Sequence, residues 1–102
     1  MEQPLPIELP LEQIKAFCTK WKVREFALFG SVLREDFRGD SDVDVLVSFH
    51  PRADWSLWDL VAMQDELKAV FGRDVDLLEK EGLQNPFRRH EILNTRRVLY
   101  AA

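Results

Sequence analysis

The sequence has little from which a cross-link or a soft-metal site could be built. It contains a single cysteine, Cys18, and two histidines, His50 and His90. One cysteine excludes an internal disulfide, and these three side chains are too few for a structural zinc site, which takes four ligands. Because a small protein without disulfides is typical of a reducing compartment, we expect a cytoplasmic location.

Long hydrophobic runs are also missing. No apolar stretch approaches the roughly 20 residues that a membrane span needs, and the N-terminus lacks the basic and apolar regions of a secretory signal. The formal net charge is -4, whereas a free-standing nucleic-acid-binding domain is usually basic. We therefore expect neither membrane insertion nor stable free-standing nucleic-acid binding. A nucleotide enzyme stays possible, because bound metal ions can offset phosphate charge.

The residues that are present predict one small α+β domain after a short arm. The proline-rich residues 1–10 predict an extended arm, and residues 11–102 a single domain. Apolar periodicity predicts helices over 11–21, from Asp54 or Ser56 to Phe71, and from Asn85-Pro86 to Asn94. It predicts strands over 24–29, 42–47, 74–79 and 97–100. This order favours a small mixed β-sheet with helices packed on it.

The same patterns predict which side chains are buried. The long helix is expected to bury Leu57, Leu60, Val61, Leu67 and Phe71. Cys18 and one of Trp55 and Trp58 are expected in the core, with the other tryptophan on a partner surface. The C-terminal arginines, Arg88, Arg89, Arg96 and Arg97, are interpreted mainly as solvated side chains, with contact to nucleotide or an acidic partner as the alternative.

Paired carboxylates interrupt the second predicted strand. Asp42 and Asp44 lie two residues apart and therefore share a face, separated by roughly 6.6 Å along the strand. Such carboxylates repel each other unless a cation lies between them, and hard oxygen ligands suit Mg²⁺. Asp76 interrupts a separate strand in the same way. If the two strands are neighbours, the three aspartates can hold two ions about 3.5–4 Å apart, a spacing used in phosphoryl displacement.

A Gly-Ser pair precedes this acidic segment. Gly30 can adopt a positive φ and lets a phosphate approach the backbone closely. A short helical turn beginning at Ser31 would offer free N–H groups and a hydroxyl to an anion. Such dipeptides are common, and the pair is informative only together with the aspartates.

The combined pattern resembles a known family. A Gly30-Ser31 pair, ten residues, then Asp42-Val43-Asp44 on a strand-turn-strand unit is similar to the signature of the DNA polymerase β nucleotidyltransferase superfamily. The length and nearly the whole chain resemble its smallest branch, the minimal (MNT-type) nucleotidyltransferases. The resemblance implies that Asp42 and Asp44 bind catalytic Mg²⁺ ions and that Asp76 is a third ligand that helps activate the acceptor hydroxyl. It implies that Gly30 and Ser31 hold the nucleoside triphosphate, although Glu35 stands where the family often has glycine. Arg34 is predicted to bind the nucleotide as well, with a surface ion pair to Asp36 or Glu35 as the alternative.

The resemblance also implies a function. MNT-type proteins are often encoded beside HEPN-type ribonuclease toxins, so the resemblance implies transfer of AMP from ATP to a hydroxyl of such a toxin, that of a tyrosine. The chain would then be the antitoxin of a type VII-like toxin–antitoxin pair. Two alternatives are a non-catalytic antitoxin that neutralises by binding, and a nucleotidyltransferase that modifies a small molecule or an RNA end.

The acidic segment also has two plainer interpretations. Residues 40–44 resemble the start of an EF-hand calcium loop, but Val45 and Pro51 occupy the positions that need glycine and a bidentate glutamate. A merely solvated turn would account for Asp40 and Asp42. It accounts poorly for Asp44 and Asp76, which interrupt apolar strands. Asp74 is interpreted as a solvated residue at the end of a strand.

Overall fold

The computed structural model describes residues 7–33 and 42–102, and in that part it confirms the predicted α+β class. The helices are α1 (Leu11–Lys20), α2 (Leu57–Phe71) and α3 (Pro86–Thr95). The strands are β1 (Val23–Phe29), β2 (Val43–Phe49), β3 (Val75–Glu79) and β4 (Arg97–Ala101). Short 3₁₀ turns, Gly30–Leu33 and Lys80–Gly82, follow β1 and β3. None of these helices has the length and apolar character needed to cross a bilayer.

The four strands form one mixed sheet in the order β3-β2-β1-β4. β1 is antiparallel to both β2 and β4, whereas β2 and β3 run parallel. A parallel pair needs a crossover connection, and α2 provides it. β3 therefore lies at one edge of the sheet, directly beside the strand that carries Asp44.

The two faces of the sheet meet different helices. Val43, Val45 and Val47 of β2 belong to the main core with α1 and α2. Leu46 faces the other way, in a smaller cluster with Ala27 and Ile92 of α3. Because side chains alternate along a strand, Asp44 lies on the α3 side. The sequence pattern of β2 thus has a direct cause. Its valines fill the core on one face of the sheet, and on the other face the first side chain of the strand is the carboxylate of Asp44.

Local sequence signals set the helix boundaries where they were predicted. Ser56 caps α2 in a reciprocal capping box with Asp59, and Gly72 ends the helix in the left-handed conformation at φ 69°. Asn85 caps α3, and Pro86 occupies its first turn. Side-chain caps satisfy amide groups that have no partner inside the helix, which explains why these positions could be identified from sequence.

Burial of the long helix was predicted only in part. Leu67 is buried as expected, but Leu57 and Val61 are 73% and 46% exposed, and Met63 takes a core position instead. The prediction was wrong for Leu57 and Val61 because α2 packs near the edge of the sheet. Apolar residues on its outer side therefore have no strand beneath them.

The predictions that Cys18 and one of the two tryptophans belong to the core are confirmed. Trp55 is half-buried and donates from Nε1 to the carbonyl of Trp21 at 2.9 Å, whereas Trp58 is 80% exposed. Cys18 is buried, and burial raises the pKa of its thiol to about 12. Of the predicted arm, residues 1–6 lie outside the described part of the chain, and Ile7 packs against the core.

The C-terminal arginines were predicted to be solvated, and this is wrong for Arg96. Its Nε donates to Glu25 at 2.8 Å, and both side chains are about one fifth exposed, at 21% and 19%. Lys80 approaches the same carboxylate at 3.5 Å. Burial raises the pKa of Glu25, but the hydrogen bond and charge of Arg96, together with Lys80, outweigh it and hold the pKa below its ordinary value of 4.5.

The lowered pKa of Glu25 predicts an acid-sensitive contribution to stability. A carboxylate with a lower pKa in the folded state stabilises the protein above its unfolded pKa, and this contribution is lost as pH falls through the folded pKa. We expect Glu25→Gln to lower the free energy of unfolding by about 2 kcal/mol at neutral pH. The difference in unfolding free energy between this variant and the unchanged protein should shrink as pH falls below 4.5. Urea titrations across this range measure it, and Glu91→Gln on the exposed side of α3 is the control. An equal deficit at all pH values would contradict this prediction.

Candidate functional site

A 3₁₀ turn at the end of β1 forms the first part of the site. Gly30 opens this turn at φ +72°, a conformation that L side chains rarely adopt. A Cβ added at this position would lie 2.3 Å from Oδ2 of Asp44. The expected positive φ is confirmed. The group that approaches the glycine in the structure is the carboxylate of Asp44. Asp44 can take this position only because residue 30 has no side chain.

Ser31 ties this turn to the start of β2. Its backbone N–H donates to Oδ2 of Asp44 at 3.4 Å, and its hydroxyl donates to the carbonyl of Asp42 at 3.3 Å. Both contacts are long for hydrogen bonds and are correspondingly weak. Together they hold an amide-rich turn beside the acidic segment, so that an anion bound at the turn would lie next to the carboxylates.

The sheet register brings the second and third carboxylates together. Asp44 and Asp76 are paired residues of the parallel strands β2 and β3. Paired residues of neighbouring strands point to the same face, about 4.8 Å apart along the sheet. Asp42 lies just before β2, two residues from Asp44. Asp42 and Asp76 are exposed and Asp44 is half-buried, which leaves the set open to solvent and substrate.

The donor set suits a hard divalent cation that shares its ligands with a substrate. All three groups offer carboxylate oxygens, which Mg²⁺ prefers, and this ion usually keeps only one or two carboxylates and takes the rest from water and phosphate. Within residues 7–33 and 42–102, no three His, Cys, Asp or Glu side chains form a ready-made ligand set. A site completed by the triphosphate fits this arrangement better than a closed protein cage.

Two residues singled out in the sequence, Arg34 and Asp74, are not part of the site as the structure describes it. Arg34, predicted to bind nucleotide, lies outside the described residues. Asp74 is exposed and precedes β3, as expected for a solvated residue, and its carbonyl accepts a hydrogen bond from the N–H of Val43 at 2.9 Å.

The α3 side of the sheet therefore has three zones. The carboxylate end holds Asp44 and Asp76, the apolar band holds Ala27, Leu46 and Leu78, and the ion-pair end holds Glu25 with its partners. Sequence reasoning missed the ion-pair end, because Glu25 and Arg96 are 71 residues apart and no local pattern links them.

Comparison with known proteins places the chain in a family. The family model of the nucleotidyltransferase domain matches residues 11–99. The chain belongs to the nucleotidyltransferase domain family. This confirms the resemblance inferred from the Gly-Ser and Asp-x-Asp pattern and the class of enzyme, a nucleotidyltransferase.

Two relatives share both sequence and length with this nucleotidyltransferase. The protein adenylyltransferase MntA of Thermococcus cleftensis is 36% identical over 85 residues, which cover 76% of this chain and 84% of that protein. A solved structure assigned as a minimal nucleotidyltransferase is 30% identical with a TM-score of 0.64, and the match covers 88% of this chain and 96% of that one.

A more distant structure shares the fold. The MNT antitoxin complex with a tri-AMPylated HEPN toxin from Shewanella oneidensis gives a TM-score of 0.66 at 17% identity, over 90% of this chain and 70% of that chain. At this identity the likeness concerns the nucleotidyltransferase fold alone.

Proposed function

We propose that this nucleotidyltransferase is a protein adenylyltransferase that moves AMP from ATP to a hydroxyl of a HEPN-type ribonuclease toxin and thereby acts as its antitoxin. The observation that carries the proposal is the Gly30-Ser31 turn held against Asp44, with Asp76 in register on the next strand. The adenylyltransferase name of the MntA relative supports the reaction. The toxin complex of the Shewanella relative supports the partner.

In this proposal each residue has a defined task. The turn that begins at Gly30 and Ser31 holds the triphosphate of ATP through its backbone N–H groups, and the weak 3.4 Å bond from the Ser31 N–H to Asp44 gives way to the phosphate. Asp42, Asp44 and Asp76 would hold two Mg²⁺ ions, which supply charge stabilisation at the α-phosphate and leaving oxygen. Asp76 accepts the proton of the acceptor hydroxyl. The acceptor oxygen bonds to the α-phosphorus, the bond from that phosphorus to the bridging oxygen of the β-phosphate breaks, and pyrophosphate leaves with the electron pair.

The site needs an acceptor protein because the described chain offers little to grip a second substrate. The carboxylates lie on an open sheet face, with Asp42 and Asp76 exposed. Orientation of two reactants contributes a large part of the rate of such a transfer. A partner that binds the surface around Asp76 would supply that orientation, and the target hydroxyl would be its own.

Mass spectrometry tests the proposal directly. A HEPN-type ribonuclease is incubated with the chain, ATP and Mg²⁺, and its mass and ribonuclease activity are measured. We expect the mass to rise by whole AMP groups, on tyrosine, while ribonuclease activity falls. Loss of ribonuclease activity with an unchanged mass would instead indicate neutralisation by binding. Transfer to a small molecule or an RNA end in the absence of the protein would indicate the other alternative.

A further inference from the structure

The outer edge of β3 has no strand beside it in the described part of the chain. In a parallel pair, alternate residues direct both backbone groups to the neighbouring strand. The N–H of Val43 donates to the carbonyl of Asp74, so the even-numbered residues of β3 face β2. The backbone N–H and C=O groups of Leu77 and Glu79 therefore point outwards, away from the sheet, as a template for another strand. Val75 lies on the same side of β3 but is only 4% exposed, so the template begins after it.

An apolar cavity lies beside this edge on the α2 side. It has a volume of about 220 Å³, and its walls include Leu57, Leu60 and Val61 of α2 and Leu77 of β3. Leu57 and Val61, which an amphipathic helix would ordinarily bury, line this cavity and remain exposed. The two side chains extend the apolar surface past the last strand.

A second cavity lies beside the same edge on the α3 side. It has a volume of about 230 Å³ and is lined by Leu78, Leu83 and Arg88 among others, and it also touches Leu77 and Glu79. An unpaired strand with a side pocket on each face is the arrangement that accepts an extended peptide. Main-chain bonds then provide affinity, and alternate side chains enter the two pockets.

The edge is continuous with the candidate site. Across the sheet, the order is the Gly30-Ser31 turn, Asp44 on β2, Asp76 on β3, and then the open edge. Attacking and leaving oxygens lie roughly in line in phosphoryl transfer. With the triphosphate held at the turn, the acceptor hydroxyl must therefore arrive from the side of β3.

We propose that an extended segment of the acceptor protein adds as a fifth strand to the edge of β3 and thereby brings its hydroxyl to Asp76. This rests on the proposed adenylyltransferase function and specifies how the acceptor binds. The residue paired with Asp76 carries the hydroxyl, because paired residues share a face. The adjacent residue, paired with Leu77, points to the α2 side and carries an apolar side chain into the cavity there.

Charge adds a further requirement on the segment. Glu79 is exposed at the end of β3 and forms no ion pair with another described residue. The segment residue paired with Glu79 lies two positions beyond the apolar one and on the same face. A basic side chain there matches the carboxylate. A second copy of this acidic chain would meet the edge with like charge, so a partner of different composition fits it better.

A pair of substitutions at one outward-facing position tests the proposal. Glu79→Pro removes an outward N–H and leaves the bonds between β2 and β3 intact. The φ of −92° at this residue is close to the range of proline. Glu79→Ala removes the same carboxylate but keeps the N–H. With the natural HEPN-type partner, Glu79→Pro is expected to raise the KM for the partner roughly tenfold relative to Glu79→Ala, with the KM for ATP and kcat unchanged.

Hydrogen exchange without ATP provides a measurement that does not depend on catalysis. Adding the partner should protect the amides of Leu77 and Glu79, and thermal melting confirms that both variants fold. Unchanged exchange at these amides, or equal KM values for Glu79→Pro and Glu79→Ala, overturns the proposed strand addition. Absence of AMP transfer by the natural chain overturns the proposed function instead, so the two failures are distinguishable.

Discussion

Asp44→Asn is expected to abolish AMP transfer and to leave the protein folded. Asparagine keeps an oxygen that can accept from the N–H of Ser31, but it removes the negative charge that a metal ion needs. Loss of about 4 kcal/mol of transition-state stabilisation corresponds to roughly a thousandfold in kcat. In the absence of metal the melting temperature should stay equal or rise, because Asp44 no longer repels Asp76. Transfer of labelled AMP and thermal melting measure the two effects.

The control for this variant is Glu12→Gln. It makes the same change from carboxylate to amide on an exposed position of α1, on the other side of the sheet. Full activity of Glu12→Gln together with inactive Asp44→Asn assigns the loss to the site. Substantial AMP transfer by Asp44→Asn would refute the proposed role of this carboxylate. Neutralisation of the toxin by inactive Asp44→Asn would favour the binding-only alternative.

Gly30→Ala is expected to impair both stability and transfer. The added Cβ would lie 2.3 Å from the Asp44 carboxylate, and alanine at φ +72° carries a backbone cost of about 1 kcal/mol. Relief of the collision must move the turn or the carboxylate. A shift of about 1 Å in a reacting group can cost roughly a hundredfold in rate. We therefore expect about 2–4 kcal/mol less stability and at least a hundredfold slower transfer.

Gly72→Ala separates the collision from the backbone cost. Gly72 has nearly the same φ, +69°, but an added Cβ there would meet no atom within 4 Å. This variant should lose only about 1 kcal/mol of stability and should keep its transfer rate. If urea unfolding and transfer assays gave the same values for both alanine variants, the close approach of Asp44 to Gly30 would affect neither stability nor AMP transfer.

The predictable parts of this structure are those with local causes. Alternation along β2 identified Asp44 as a carboxylate on an otherwise buried strand, and capping chemistry identified Ser56 and Gly72. The α+β fold class, the mixed sheet and the C-terminal strand could be predicted from the same periodicities. Each of these features depends on residues a few positions apart, where the physical effect of a side chain on its own backbone dominates.

The remaining features depend on which elements become neighbours. Asp44 and Asp76 meet because β2 and β3 are adjacent and in register. The sequence predicts this meeting only on the condition that the two strands are neighbours. The exposure of Leu57 follows from the edge position of β3, and the ion pair of Glu25 with Arg96 joins distant segments. Helical periodicity gives the apolar side of a helix but not the width of the sheet beneath it.

The apolar band of Ala27, Leu46 and Leu78 separates the carboxylate end of the sheet from the ion-pair end. The contacts that anchor α3 therefore do not involve Asp44 or Asp76. Substitution of these two carboxylates should leave the packing of α3 on the sheet intact, so the acidic end can change in sequence without loss of the fold.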